Sequence, residues 1–159
     1  MAFWKRKAEK VFWRDRKNNI VCPKEDKCVK CDETCPIHLN TIGIELLQQD
    51  RFIEAIESFR AALLLAPDFV DAQNNLGAAF GANGQHQEAY IAYKKSTKMS
   101  PRYPDSWRGL AISSRKLGRL DEAIECCRQL ERLGAPITAF KEDVEKQLLN
   151  SGKQKETSR

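Results

Sequence analysis

The chain has 159 residues, is 42% hydrophobic and 31% charged, and carries a net charge of +5 with six cysteines and two histidines. That length fits one domain with short appendages. No apolar run of about 18 residues is present to cross a membrane as a helix, and no apolar stretch of signal-peptide length follows the basic start. A cytoplasmic protein is predicted, its cysteines serving as thiols or metal ligands rather than disulfides.

Residues 1–20 hold the charge. Lys5, Arg6, Lys7, Lys10, Arg14, Arg16 and Lys17 stand against Glu9 and Asp15, a net +5, and the rest of the chain is balanced. Projected on a helix, Phe3, Trp4, Ala8, Val11 and Phe12 share a side, with Trp13 opposite. A basic amphipathic segment with aromatics fits peripheral contact at the inner face of a membrane through residues 1–17. The alternative is packing on the body that follows or on a partner. Nucleic acid is not expected, since phosphate-driven binding needs a larger basic surface.

Residues 21–35 hold four cysteines in the pattern Cys22-x5-Cys28-x2-Cys31-x3-Cys35, followed by Pro36 and then His38. The residues between them are polar, so burial alone cannot fold this stretch. A metal supplies that free energy, because binding it and ordering the loop are one event. The first reading is a structural zinc on Cys22, Cys28, Cys31 and Cys35, with His38 as a substitute for one thiolate. The alternative is an iron–sulfur cluster. Cys28-x2-Cys31-x3-Cys35-Pro36 is similar to the end of a bacterial ferredoxin run, but the upstream spacing differs and the second ferredoxin half is absent. Free thiols are the third reading. Pro36 suits a helix start, so the loop would clamp on the first helix of the body.

Residues 36–137 repeat every 34 residues, in units 36–69, 70–103 and 104–137. Ala55, Ala89 and Ala123 are in step, as are Gly43, Gly77 and Ala111; Ile42, Leu76 and Leu110; Phe59, Tyr93 and Cys127; Asp50, Gly84 and Gly118. Pro67 and Pro101 follow the same step, whereas the third unit has Ala135 and then Pro136. Each unit reads as two helices with apolar residues at helical spacing, broken at Asp50-Arg51, Asn83-Gly84 and Leu117-Gly118. This pattern strongly resembles the tetratricopeptide repeat family, with a small residue on the first helix, a small residue where the helices cross, an aromatic on the second and a closing proline. Cys127 and Ser114 depart from the pattern in the third unit. Cys127 takes a core slot and is expected to be buried. Cys126, its neighbour on the same helix, is not expected to share a metal with it.

Thr138 is a candidate N-cap for one more helix over 138–150. Phe140, Val144, Leu148 and Leu149 form its apolar stripe, and the opposite face is charged, as the end of a repeat stack requires. Residues 151–159 lack apolar side chains and are expected to be disordered.

The fold predicted is all-α, an α–α superhelix of three helix-turn-helix repeats with a C-terminal capping helix. The resemblance implies a concave groove lined by the first helix of each unit and a task of holding a peptide or partner protein there. By register its positions are Ile37, Asn40, Ile44 and Gln48; Asp71, Asn74, Ala78 and Ala82; Asp105, Arg108 and Ile112, with Arg115 one residue short of the fourth step. Asn40 and Asn74 can bond a peptide backbone, and Arg108 and Arg115 can pair a carboxylate. The family's chaperone-binding members use a clamp of Lys, Asn, Asn, Lys and Arg. Only Asn75 matches here, with Asn40, Ile44, Asp105 and Gly109 elsewhere, so a chaperone tail is not the expected ligand. No Ser/His/Asp set, paired acidic motif or phosphate loop is visible, so a non-enzymatic interaction scaffold is expected. The alternative is a redox or electron-transfer accessory protein built on the cysteine segment.

Overall fold

The computed structural model describes residues 13–14, 20–21 and 35–156. Trp13–Arg14 (β1) pairs antiparallel with Ile20–Val21 (β2), Trp13 opposite Val21 and Arg14 opposite Ile20. The backbone is extended here, where the projection of residues 1–20 used a helix. Trp, Ile and Val suit a pleated pairing. The remainder of residues 1–34 lies outside the described residues, and with it the rest of the proposed membrane-contact stretch.

Seven helices follow among the described residues. They are α1 (Pro36–Gln48), α2 (Phe52–Leu65), α3 (Val70–Ala82), α4 (His86–Met99), α5 (Pro104–Lys116), α6 (Leu120–Arg132) and α7 (Thr138–Glu156). Pro36 and Pro104 open α1 and α5, where the missing N–H has no intrahelical partner to lose. Asp50, Gly84, Gly118 and Gly134 all have positive φ and close α1, α3, α5 and α6 with the same paired bonds. Arg51 N–H reaches Leu46 O and Asp50 N–H reaches Leu47 O, and Gln85, Arg119 and Ala135 repeat the longer bond onto Phe80, Ser114 and Leu130. This double bond satisfies orphan carbonyls and turns the chain back on itself. α2 and α4 stop instead at Ala66-Pro67 and Ser100-Pro101, where the residue before proline leaves the helical region.

Each pair α1–α2, α3–α4 and α5–α6 packs as a hairpin, and the hairpins stack in chain order. The first helices touch one another, α1 on α3 and α3 on α5, more closely than the second helices do. The stack therefore curves toward α1, α3 and α5, which form its inner face. This is the all-α superhelix expected. Ala55, Ala89 and Ala123 are fully buried at the crossings. Phe59 is fully buried on α2, packed with Leu76, Ala79 and Phe80, and removing such a ring to Ala costs about 3–5 kcal/mol.

α7 lies on the end of α6. Val144 is fully buried with Ala123 and Ile124, and Phe140 packs alongside. The helix starts at Thr138, with Lys141 N–H bonded to Ile137 O, so Ile137 stands where Thr138 was placed as the cap. It also continues to Glu156, past the boundary expected at residue 150, because Lys, Gln and Glu propagate a helix without needing burial.

Candidate functional site

Three of the four proposed metal ligands, Cys22, Cys28 and Cys31, lie outside the described residues. The fourth, Cys35, is a half-buried free thiol at the N-cap of α1, its carbonyl accepting from Leu39 N–H at 3.0 Å. His38 follows on the first turn and is also half-buried. Among the described residues no group of three or more His, Cys, Asp or Glu gathers for a metal. The other two described cysteines, Cys126 and Cys127, are free and buried on α6. Burial, with Cys127 beside it, pushes the Cys126 thiol up to about 12.

The four residues proposed for the groove lie on α1, α3 and α5, and each is already engaged. Asn40 on α1 is buried and accepts from Asn75 Nδ2 on α3 at 3.0 Å. Asn74 Oδ1 accepts from Ser106 Oγ on α5 at 3.3 Å, and Ser106 shares a 2.6 Å bond with Ser96 Oγ on α4. These bonds join successive units, so both asparagines have a structural job as well as a place on the face. Arg108 pairs with Asp105 one turn away. Arg115 pairs with Asp143 on α7 and lies 4.9 Å over the Phe140 ring. The charge that the sequence offered to a carboxylate is thus met from within.

Between these groups the face is apolar. Ile44, Ala78 and Ile112 occupy the same register on α1, α3 and α5, and Ile112 is 42% exposed. Toward the helix starts, burial raises the Tyr103 hydroxyl to about 12, with the charge of the nearby Asp71 adding to it.

One residue packed against these helices was not picked out from the sequence. Tyr93, on α4, was read only as the core aromatic. Its ring lies against the backbones of α3 and α5: a Cβ built on Gly77 would come within 2.9 Å of Cε1, and one on Gly109 within 2.2 Å of Cε1 and Cζ. The readable signal was a tyrosine where the first unit has Phe59, together with glycine at 109 where the second unit has Asn75.

The comparisons agree with this architecture. A tetratricopeptide repeat model matches residues 40–104 and 79–136. A peroxisomal targeting signal receptor from Eremothecium gossypii is 33% identical over 84 residues, covering 53% of this chain and 15% of the receptor. Tetratricopeptide repeat-containing protein trd-1 from Caenorhabditis elegans is 28% identical over 101 residues, covering 62% of this chain and 13% of that protein. The chain therefore spans only a small fraction of these relatives. Among solved structures, the Sgt2 domain from Aspergillus fumigatus superposes with a TM-score of 0.71 at 20% identity, covering 74% of this chain and 82% of that one. The first repeat domain of Spaghetti (RPAP3), bound to the HSP90 peptide SRMEEVD, gives 0.71 at 15% identity, covering 76% and 98%. The 34-residue step, the hairpin stack and the matched model lead to one conclusion: the chain belongs to the tetratricopeptide repeat family.

Proposed function

We propose that the protein is a non-enzymatic scaffold that holds a peptide or partner protein against the inner face of α1, α3 and α5. One observation carries this reading: three helices from three repeats lie side by side, with Ile44, Ala78 and Ile112 at one register and Ile112 left exposed. Exposed apolar surface framed by polar groups marks an interaction site. The similar domain that binds SRMEEVD supports the same use of the fold. A photo-crosslinking residue placed at Ala78 on the inner face tests it. Cross-links to a protein partner are expected there and not from the same residue at Glu57 on α2, which is exposed. Equal cross-linking from both places overturns the reading.

The same proposal includes a zinc held by Cys22, Cys28, Cys31 and Cys35, with His38 able to replace one thiolate, bracing the start of α1. What supports it is the donor set together with the position of Cys35, a free and partly accessible thiol at the first turn. Zinc would supply folding free energy and no chemistry if all four positions are filled by protein. Anaerobic purification with metal analysis tests it. One zinc per chain is expected, and a brown protein with stoichiometric iron supports the cluster alternative instead. Flotation with anionic liposomes, with and without residues 1–17, tests membrane contact by the basic arm.

A further inference from the structure

The 34-residue step places Gly109 on α5 where α3 has Asn75, and Asn75 reaches along the inner face to Asn40 on α1. Residues at this position therefore point into the floor between neighbouring first helices. Gly109 has no side chain to place there. The space is taken by the phenolic end of Tyr93, whose Cζ sits 2.2 Å from where a Cβ on Gly109 would be. The equivalent ring in the first unit, Phe59, is fully buried and has no polar end. Tyr93 is only partly buried, and its hydroxyl has no hydrogen-bond partner among the described residues. A tyrosine hydroxyl is a protonated donor at neutral pH, and burial, with Asp105 nearby, raises this one further, to about 12. Ala78 and the exposed Ile112 stand three residues on from Asn75 and Gly109 along α3 and α5.

The charges around this donor narrow the ligand. Arg108 is taken by Asp105, and Arg115 by Asp143 and the Phe140 ring. Lys116, at the end of α5, is an exposed cation. An acidic peptide terminus would meet the exposed Asp71 and would have to displace Asp105 or Asp143 to reach an arginine.

We infer that the inner face binds an internal stretch of extended polypeptide with uncharged, apolar side chains, one backbone carbonyl accepting from the Tyr93 hydroxyl and one apolar side chain resting on Ile112 and Ala78. This rests on the groove reading above and specifies its ligand. Packed helices lie about 8–10 Å apart and an extended chain rises about 3.3 Å per residue, so roughly every third residue meets a new helix. Three synthetic probes test it by fluorescence anisotropy against the full chain. The first is an amidated 12-mer, about 40 Å long when extended, with Leu or Val at every third position between Ser, Gly and Asn. The second replaces those apolar residues with Asp, and the third is SRMEEVD with its free carboxylate. The first probe is expected to bind best. Tyr93→Phe, which keeps the ring, should weaken it about 5–10-fold, and Ile112→Glu by about 10-fold or more. Both variants should melt within a few degrees of the parent. Tighter binding of either acidic probe overturns the inference while leaving the groove in use. Apolar binding that both variants leave unchanged places the site elsewhere and overturns it too. Binding of none of the probes also overturns it, and the inner-versus-outer cross-linking then decides the groove reading separately.

Discussion

Single residues carry the departures from regularity. Asp50 takes the left-handed turn, with φ of 58°, that Gly84 and Gly118 take in the next two units. A side chain in that conformation is strained, since Cβ crowds the following carbonyl. Asp50→Gly should raise stability by about 0.5–1 kcal/mol, read from the urea midpoint. Ser114 is fully buried and its hydroxyl has no hydrogen-bond partner among the described residues. An unmet buried hydroxyl costs about 1–3 kcal/mol. Ser114→Ala is therefore expected to be neutral or stabilising by about 1 kcal/mol, and a clear loss of stability would refute this. Tyr93 and Cys126 are both held up to about 12, mainly by burial. The unfolded chain ionises them near the ordinary values of about 10 and 8.5, so the fold favours their protonated forms. That contribution is intact below about pH 8.5 and falls away as pH rises toward 12. Melting temperature should decline from pH 9 to 11, and decline less steeply in Tyr93→Phe.

At the scale of the element, the helix pairs keep volume rather than identity. Gly43 faces Phe59 and Gly77 faces Tyr93 so closely that a Cβ would collide. In the third unit the same register holds Ala111 and Cys127, both fully buried, a larger residue on one helix traded for a smaller one on the other. Such exchanges are the best tolerated in a packed core. The spacing makes the three units legible, and the third unit's odd residues make sense only as a pair. α7 closes the stack through Val144 and is held at its flank by Arg115 to Asp143. Val144→Ala should lower stability by about 1–3 kcal/mol. Arg115→Gln should lower it by under about 1 kcal/mol, and less at high salt, because the pair is partly exposed. Urea unfolding at two salt concentrations separates the two effects.

For the molecule as a whole, stability builds from neighbour to neighbour. α3 and α4 are packed by units on both sides, whereas α7 rests mainly on α6. Hydrogen exchange should be slowest in α3 and α4 and fastest in α7, and uniform protection would contradict this stacking account. The sequence by itself determined the fold, since a 34-residue period of small and large apolar residues has one way to bury its stripes: hairpins stacked side by side. It also offered candidate residues for the inner face. What those residues are free to do was decided by tertiary structure. Asn40, Asn74, Arg108 and Arg115 looked like four open hands, and each is met by a neighbour, most of them 30 or so residues away in the chain. Tyr93 looked like core, and its phenolic end fills the place that a side chain on Gly109 would take. Period is a local property that a chain displays along its length, whereas the pairing of a charge or the covering of a hydroxyl depends on which helices come to lie together.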